Sequence, residues 1–203
     1  MSASYDLFSG LFEKKYRNMA LEYLKIKTGE TVLEIGFGTG HCLKQIAELV
    51  GVEGRVCGID ISSGMLAVAK RRLEKSGLQK RVELTCDDAS KMPYADNEFD
   101  AVFMSFTLEL FDTPEISCVL VGIKRILKSN GRLGVISLTK DDNDTLLIRF
   151  YEWLHQKMPT LIDCRPIFVD IALHEAGFNV QLKKRVSLLG IPADIAIGKN
   201  KSG

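Results

Sequence analysis

Val32-Leu33-Glu34-Ile35-Gly36-Phe37-Gly38-Thr39-Gly40 decides the fold of this 203-residue chain. A short apolar run breaks into glycines at alternate positions, Gly36, Gly38 and Gly40. An apolar helical pattern follows at once through Cys42, Leu43, Ile46, Ala47, Leu49 and Val50. Strand, glycine turn and helix in that order present backbone N–H groups and the positive end of a helix dipole to a nucleotide-like ligand. Asp60 closes the next apolar run, twenty residues after Gly40, where such folds hold ribose hydroxyls.

Outward from this stretch, apolar runs and helical patterns alternate. Residues 31–35, 55–59, 82–86, 101–106 and 132–138 are short and rich in Val, Ile, Leu and Phe. The first and fourth are nearly unbroken in apolar character, as expected of strands covered on both faces. Ser62 is placed to cap a helix carrying Met65, Leu66, Val68, Ala69 and Leu73 and ending at Gly77. Thr113-Pro114-Glu115 reads as an N-cap, a first-turn proline and an acid on the positive end of the dipole. The stripe Ile116, Val119, Leu120, Ile123 and Leu127 follows, stopped by Ser129-Asn130-Gly131. This alternation predicts an α/β fold, a Rossmann-like doubly wound sheet with right-handed crossovers.

The ends depart from that rhythm. Leu7, Phe8, Leu11, Phe12, Tyr16, Met19, Ala20 and Leu24 stand at helical spacing ahead of the first strand. A polar turn at 140–144 leads to a helical pattern at 146–158, a loop through Pro159 and Pro166, and a helix closed by Gly177. Residues 178–189 and 191–199 read as two strands joined at Gly190, an antiparallel hairpin. The expectation is one domain over 1–203 with a seven-stranded, mostly parallel sheet, an N-terminal helical lid at 1–28 and a small helical cap at 140–177.

Composition narrows the classes of function. Hydrophobic residues make up 46% and charged residues 26% of the chain, the balance of a globular protein with a buried core. A net charge of +1 gives no global attraction to nucleic acid. The runs Lys70-Arg71-Arg72 and Lys183-Lys184-Arg185 read as solvated faces of a helix and a strand. No run approaches the ~18 apolar residues of a membrane span, and the N-terminus lacks a signal-peptide core. The five cysteines, at 42, 57, 86, 118 and 164, form no C-x-x-C pair. They read as reduced core thiols of a cytoplasmic protein with no metal site.

The glycine spacing carries chemistry of its own. The dinucleotide fingerprint G-x-G-x-x-G needs a glycine at 41, where this chain has His41. Glu34, two residues ahead of Gly36, repels a pyrophosphate and attracts an ammonium or sulfonium. That asymmetry favours S-adenosylmethionine over NAD. The chain resembles class I S-adenosylmethionine-dependent methyltransferases over nearly its full length. Residues 32–40 match the first motif, and Gly58-Ile59-Asp60-Ile61-Ser62-Ser63-Gly64-Met65-Leu66 matches the second-strand segment. Asp87-Asp88-Ala89 with Met92-Pro93-Tyr94, Asn97-Glu98-Phe99-Asp100 through Ser105-Phe106, and residues 127–138 match the third, fourth and fifth.

The resemblance implies that Gly36, Phe37, Gly38 and Gly40 line the methionine and ribose, with Glu34 facing the cationic end of the cofactor. It implies that Asp60 binds the ribose, that Ile61 and Met65 flank the adenine, and that Asp88 and Ala89 contact its edge. Ser105 and Phe106 would stand near the methionine ammonium, and Tyr5 would close over the cofactor. Within the family the chain is most similar to the ubiquinone/menaquinone C-methyltransferase-like (methyltransferase type 11) group, through Ala3-Ser4-Tyr5-Asp6 and Ser105-Phe106-x-Leu108. It departs from the quinone enzymes at Thr107 and Glu109, where they place glycine and arginine, and in a shorter segment between Leu138 and Gly177.

Methyl transfer is an in-line displacement at a carbon already activated by the sulfonium, so the enzyme mainly positions the reactants and excludes water. An amine or thiol acceptor needs little base, whereas an aromatic carbon or hydroxyl must lose a proton. His155 is the candidate base. Arg165, in Asp163-Cys164-Arg165-Pro166, is the candidate fork for an acceptor carboxylate or phosphate. Tyr151 and Trp153 read as helix packing. The expected partner is a small-molecule or lipid-like acceptor, not nucleic acid. The N-terminal helix, mixing Phe8, Leu11, Phe12 and Tyr16 with Lys14, Lys15 and Arg17, allows peripheral membrane contact, and a monomer or homodimer is expected. The competing readings are an NAD-dependent oxidoreductase and a non-catalytic S-adenosylmethionine-binding regulator.

Overall fold

Side chains of the first strand alternate between two core layers, and that alternation organises the molecule. In the computed structural model, which describes residues 14–139, 166–188 and 191–200, β1 (Thr31–Ile35) is buried on both faces. Val32 joins one hydrophobic layer and Leu33 and Ile35 the other, as the period of two requires. After a helix over residues 14–24, α1, the chain runs β1, α2 (His41–Val50), β2 (Arg55–Asp60), α3 (Ser63–Lys75), β3 (Val82–Cys86) and β4 (Phe99–Ser105). It continues through α4 (Thr113–Ile126), β5 (Leu127–Leu138), α5 (Val169–Glu175), β6 (Phe178–Leu188) and β7 (Ile191–Asn200).

The seven strands form one sheet in the order β3-β2-β1-β4-β5-β7-β6. β1 pairs in parallel with β2 and β4, as do β2 with β3 and β4 with β5. β7 inserts antiparallel between β5 and β6. Ala20 and Leu24 of α1, Leu43 and Ile46 of α2, and Ala69 and Leu73 of α3 cover one face. Ile116, Val119 and Ile123 of α4 and Val169 and Leu173 of α5 cover the other. The expected Rossmann-like architecture is therefore present. Its strand order reverses between β1 and β4, so their carboxyl ends open a crevice there.

Several boundaries differ from the sequence reading. α4 begins one residue early, with Asp112 rather than Thr113 at the N-cap. It also stops at Ile126, not at Ser129-Asn130-Gly131. Leu127 belongs to β5 because it pairs with Phe99, and the register then shifts so that Ala101 faces Arg132. Asn130 takes up that irregularity at a φ of 66°, a left-handed conformation that asparagine tolerates. The helical stripe and the strand thus share one continuous apolar run, which periodicity alone cannot divide. The cysteines are not uniformly core thiols: Cys42 and Cys57 are buried, but Cys86 and Cys118 are exposed. Cys164 and most of the expected cap lie outside the described residues.

The basic run of β6 is a sheet edge. Lys183 pairs with Asp170 at 2.8 Å, Lys184 donates to the Tyr23 hydroxyl at 2.9 Å, and Arg185 pairs with the fully buried Asp194. Charges along an outer strand oppose edge-to-edge pairing with another sheet.

Candidate active site at the switch point

A cavity of about 680 Å³ opens at the carboxyl ends of β1, β2 and β4, within the range of small-molecule sites. Its floor is the turn that leaves β1. Gly36 has a φ of 69°, and its N–H donates to the Ile59 carbonyl at 2.8 Å. A Cβ on Gly36 would collide with the side chain of Thr107. The hydroxyl of Thr107 donates to the Ser105 carbonyl at 3.1 Å. β1 and the exit of β4 therefore touch where only glycine fits. Gly38, also at positive φ, differs: a Cβ there would meet no protein atom within 4 Å, so the bare backbone faces open space.

Asp60, at the end of β2, ties the turn together. Its Oδ2 accepts the Gly38 N–H at 2.8 Å and its Oδ1 the Ser62 N–H at 2.9 Å. Each carboxylate oxygen keeps a second lone pair for a ligand hydroxyl. Ser62 then caps α3, its Oγ accepting the Met65 N–H at 3.3 Å, and Ile61, 77% exposed, lies at the cavity mouth. Beyond β3, the Asp88 carboxylate accepts the Ser90 N–H at 2.9 Å. That bond holds the carboxyl below the usual carboxylate range. Phe106, at the exit of β4, adopts a φ of 53° and donates its N–H to the Ile136 carbonyl at 2.8 Å. A bulky side chain there is strained backbone, positioned on the cavity wall.

Glu34 is the unusual group of the site. It is buried to 2% exposure on a central strand, yet it lines the cavity. Its Oε2 has no hydrogen-bond partner. Burial pushes its carboxyl well above the usual range, the Arg17 guanidinium opposes that, and Asp60 adds to it. Glu34, Asp60, Asp88 and Glu115 line the cavity together with Arg17 and His41. A cationic group entering beside Glu34 would meet an acceptor atom that the protein itself does not satisfy.

Eleven of the residues singled out from sequence meet in this cavity: Glu34, Gly36, Phe37, Gly38, Asp60, Ile61, Met65, Asp88, Ala89, Ser105 and Phe106. Gly40 does not line it. Gly40 is the N-cap of α2, at a φ of 78°, and a Cβ on it would come within 3.0 Å of the Ala69 Cβ. It therefore serves the close approach of α2 and α3. Tyr5, His155 and Arg165 lie outside the described residues. Arg17, Thr107, Leu110, Phe111 and Glu115 also line the cavity and were not foreseen. Arg17 sits in a helix of mixed charge, and Glu115 reads equally well as a dipole partner, so neither carries a local signal.

Beside the cavity, Glu109 is 1% exposed. Its Oε1 accepts the Leu138 N–H at 3.1 Å, and its Oε2 has no partner. Burial pushes its carboxyl up to about 7. The bond fastens the exit of β5 to the exit of β4.

Known proteins resemble the chain in sequence and in fold. A family model described as a methyltransferase domain matches residues 32–131. The ubiquinone/menaquinone biosynthesis C-methyltransferase UbiE of Pseudomonas savastanoi is 34% identical over 156 residues, 77% of this chain and 60% of that protein. The demethylmenaquinone methyltransferase of Lactobacillus johnsonii is 32% identical over 143 residues, 68% of this chain and 58% of its own. A crystal structure of an S-adenosylmethionine-dependent methyltransferase from Aquifex aeolicus superposes with a TM-score of 0.69 and 26% identity, covering 90% of this chain and 88% of that one. In sequence and in fold the chain is similar to class I S-adenosylmethionine-dependent methyltransferases. It spans about 60% of the length of the UbiE relative.

Proposed function

We propose that this protein binds S-adenosylmethionine in the switch-point cavity and transfers its methyl group to a small-molecule or lipid-like acceptor by in-line displacement. One observation carries the reading: the buried Glu34 carboxylate, with an unsatisfied oxygen, beside a bare glycine turn. A pyrophosphate there would face Glu34 and Asp60 together, whereas the ammonium and sulfonium of S-adenosylmethionine bring positive charge to the unsatisfied oxygen. Bound in this cavity, the cofactor supplies a methyl carbon already activated for displacement.

The chain's own residues bind and orient. Glu34 receives the cationic end, and Arg17, the guanidinium of the cavity, takes the methionine carboxylate. Asp60 accepts from the ribose hydroxyls through its remaining lone pairs. Ile61 and Met65 flank the adenine, and Asp88 with the Ala89 backbone reads its edge. Ser105 and Phe106 border the methyl, and water is kept from the reacting centre by the apolar wall of Leu110 and Phe111. His155 and Arg165 remain the acceptor-side candidates, His155 as the base where a carbon or hydroxyl is methylated, and Tyr5 the residue that closes over the cofactor. The names of the relatives bring a quinone-type ring into the set of acceptors. The enzyme is read as cytoplasmic and as a monomer or homodimer that does not act on nucleic acid. Among the described residues no helix is long and apolar enough to cross a membrane.

Calorimetric titration tests the reading. S-adenosylhomocysteine is expected to bind with a dissociation constant of about 1–100 μM, and NADH not to bind. In Glu34→Gln, which keeps shape and removes charge, S-adenosylhomocysteine is expected to bind about tenfold or more weakly. Binding of NADH alone would overturn the assignment. Turnover on quinols, amines, thiols and lipid headgroups separates an enzyme from a binding regulator.

A further inference from the structure

A second depression, about 440 Å³, runs between α2 and α3 beside the cofactor cavity. α2 contributes His41 and Lys44, and α3 contributes Val68, Arg71, Arg72 and Lys75, with its C-cap Ser76. The α3 residues stand at i, i+3, i+4 and i+7, the spacing of one helix face. Such a face is apolar when it covers a core. Here it carries three cations, and Lys44 adds a fourth from the facing helix. No carboxylate lines the depression among the described residues. The whole chain has 27 basic and 26 acidic residues, so this is a local segregation of charge and not a consequence of composition.

The cations differ in how they are held. The Arg72 guanidinium donates to the Thr39 carbonyl at 2.8 Å and to the Thr39 hydroxyl at 3.2 Å, which fixes it against the glycine turn. Lys44 has an exposed contact with Glu48 at 3.8 Å. Arg71 and Lys75 are exposed, have no acid within ion-pair distance among the described residues, and stand four apart on one helix, where like charges repel. An anion between α2 and α3 would be met by the Arg72 guanidinium held on Thr39 and by Lys44, Arg71 and Lys75, with the Ser76 hydroxyl and the first turn of α2 also in the lining.

We propose that the groove between α2 and α3 is an anion site for a phosphate-bearing ligand, distinct from the cofactor cavity. The two meet at His41, which lines both, and through Thr39, which lines the cavity and holds Arg72. Phosphate chemistry of this kind comes from a soluble phosphorylated molecule or from an anionic lipid headgroup. The site stands whether or not the cavity proves to take S-adenosylmethionine.

Two probes test it on the full chain at low salt: inorganic pyrophosphate by calorimetry, and sedimenting vesicles of phosphatidylcholine with about 30% phosphatidylglycerol. At least one is expected to bind, more weakly as salt rises from about 0.05 to 0.3 M. Arg71→Glu/Lys75→Glu is expected to lose about tenfold or more of that affinity, with Arg71→Gln/Lys75→Gln intermediate. S-adenosylhomocysteine affinity and the thermal midpoint, unchanged, show that the variants are folded. A surface control, Lys27→Glu/Lys199→Glu, is expected to keep the affinity. Pyrophosphate binding alone assigns a soluble ligand, and vesicle binding displaced by pyrophosphate assigns a headgroup. No binding of either probe at low salt, or an equal loss in the surface control, overturns the site.

Discussion

At the scale of single residues, the site rests on carboxylates with different surroundings. Asp60 is bonded at one oxygen by the Gly38 N–H of the turn it faces and at the other by the Ser62 N–H of its own loop, so it shapes the cradle as well as offering lone pairs. Asp60→Ala is therefore expected to weaken S-adenosylhomocysteine binding by about 1–3 kcal/mol, measured by calorimetry. Unchanged affinity in a folded variant would place the ribose elsewhere. Glu34 has no such support at Oε2. Its identity as an acid ahead of the glycines was readable in the sequence. Its burial was not, because residue type alone makes a glutamate on a strand look solvated.

At the scale of elements, the contact between the β1 turn and the β4 exit joins two parts of the cavity lining. Gly36 is required twice there, by its positive φ and by the Thr107 side chain against it. Gly36→Ala is expected to cost about 1–3 kcal/mol from backbone strain alone, plus the collision with Thr107. Thr107→Gly in the same chain should recover the collision and leave the strain. A double-mutant cycle in urea measures the coupling. Additive effects would show that the turn moves away from Thr107. The sequence spelled the glycines, but Thr107 is 71 positions away, and only the pairing of β1 with β4 brings it there.

At the scale of the molecule, buried carboxylates make stability depend on pH in an unusual direction. Glu109 moves from an ordinary value of 4.5 to about 7 on folding, so between those values the folded state holds more protons than the unfolded one. Stability must then fall as pH rises through that window, by up to about 3 kcal/mol from this group. Below 4.5 both states are protonated and the effect vanishes. Glu109→Gln, which cannot ionise, is expected to flatten that slope and to raise stability at pH 8. Urea unfolding at pH 5, 6, 7 and 8 checks it, and an unchanged slope would mean that the carboxylate is solvated.

By itself the sequence determined the architecture and the methyltransferase resemblance. Strand and helix periods, the glycine turn and Asp60 are local patterns, each legible because backbone geometry ties side-chain direction to sequence spacing. It also marked half of the residues that line the cavity, since ligands of such sheets gather at strand ends. Tertiary structure alone decided what depends on neighbours distant in the chain. It made the run at Leu127 a strand, through its pairing with Phe99, and left Cys86 and Cys118 exposed. It moved Gly40 from the cavity to the contact of α2 with α3, and brought Arg17 to the cavity wall beside Glu34. The physical reason is common to all four: burial and electrostatic environment are set by packing across the sheet, which no spacing within one element encodes.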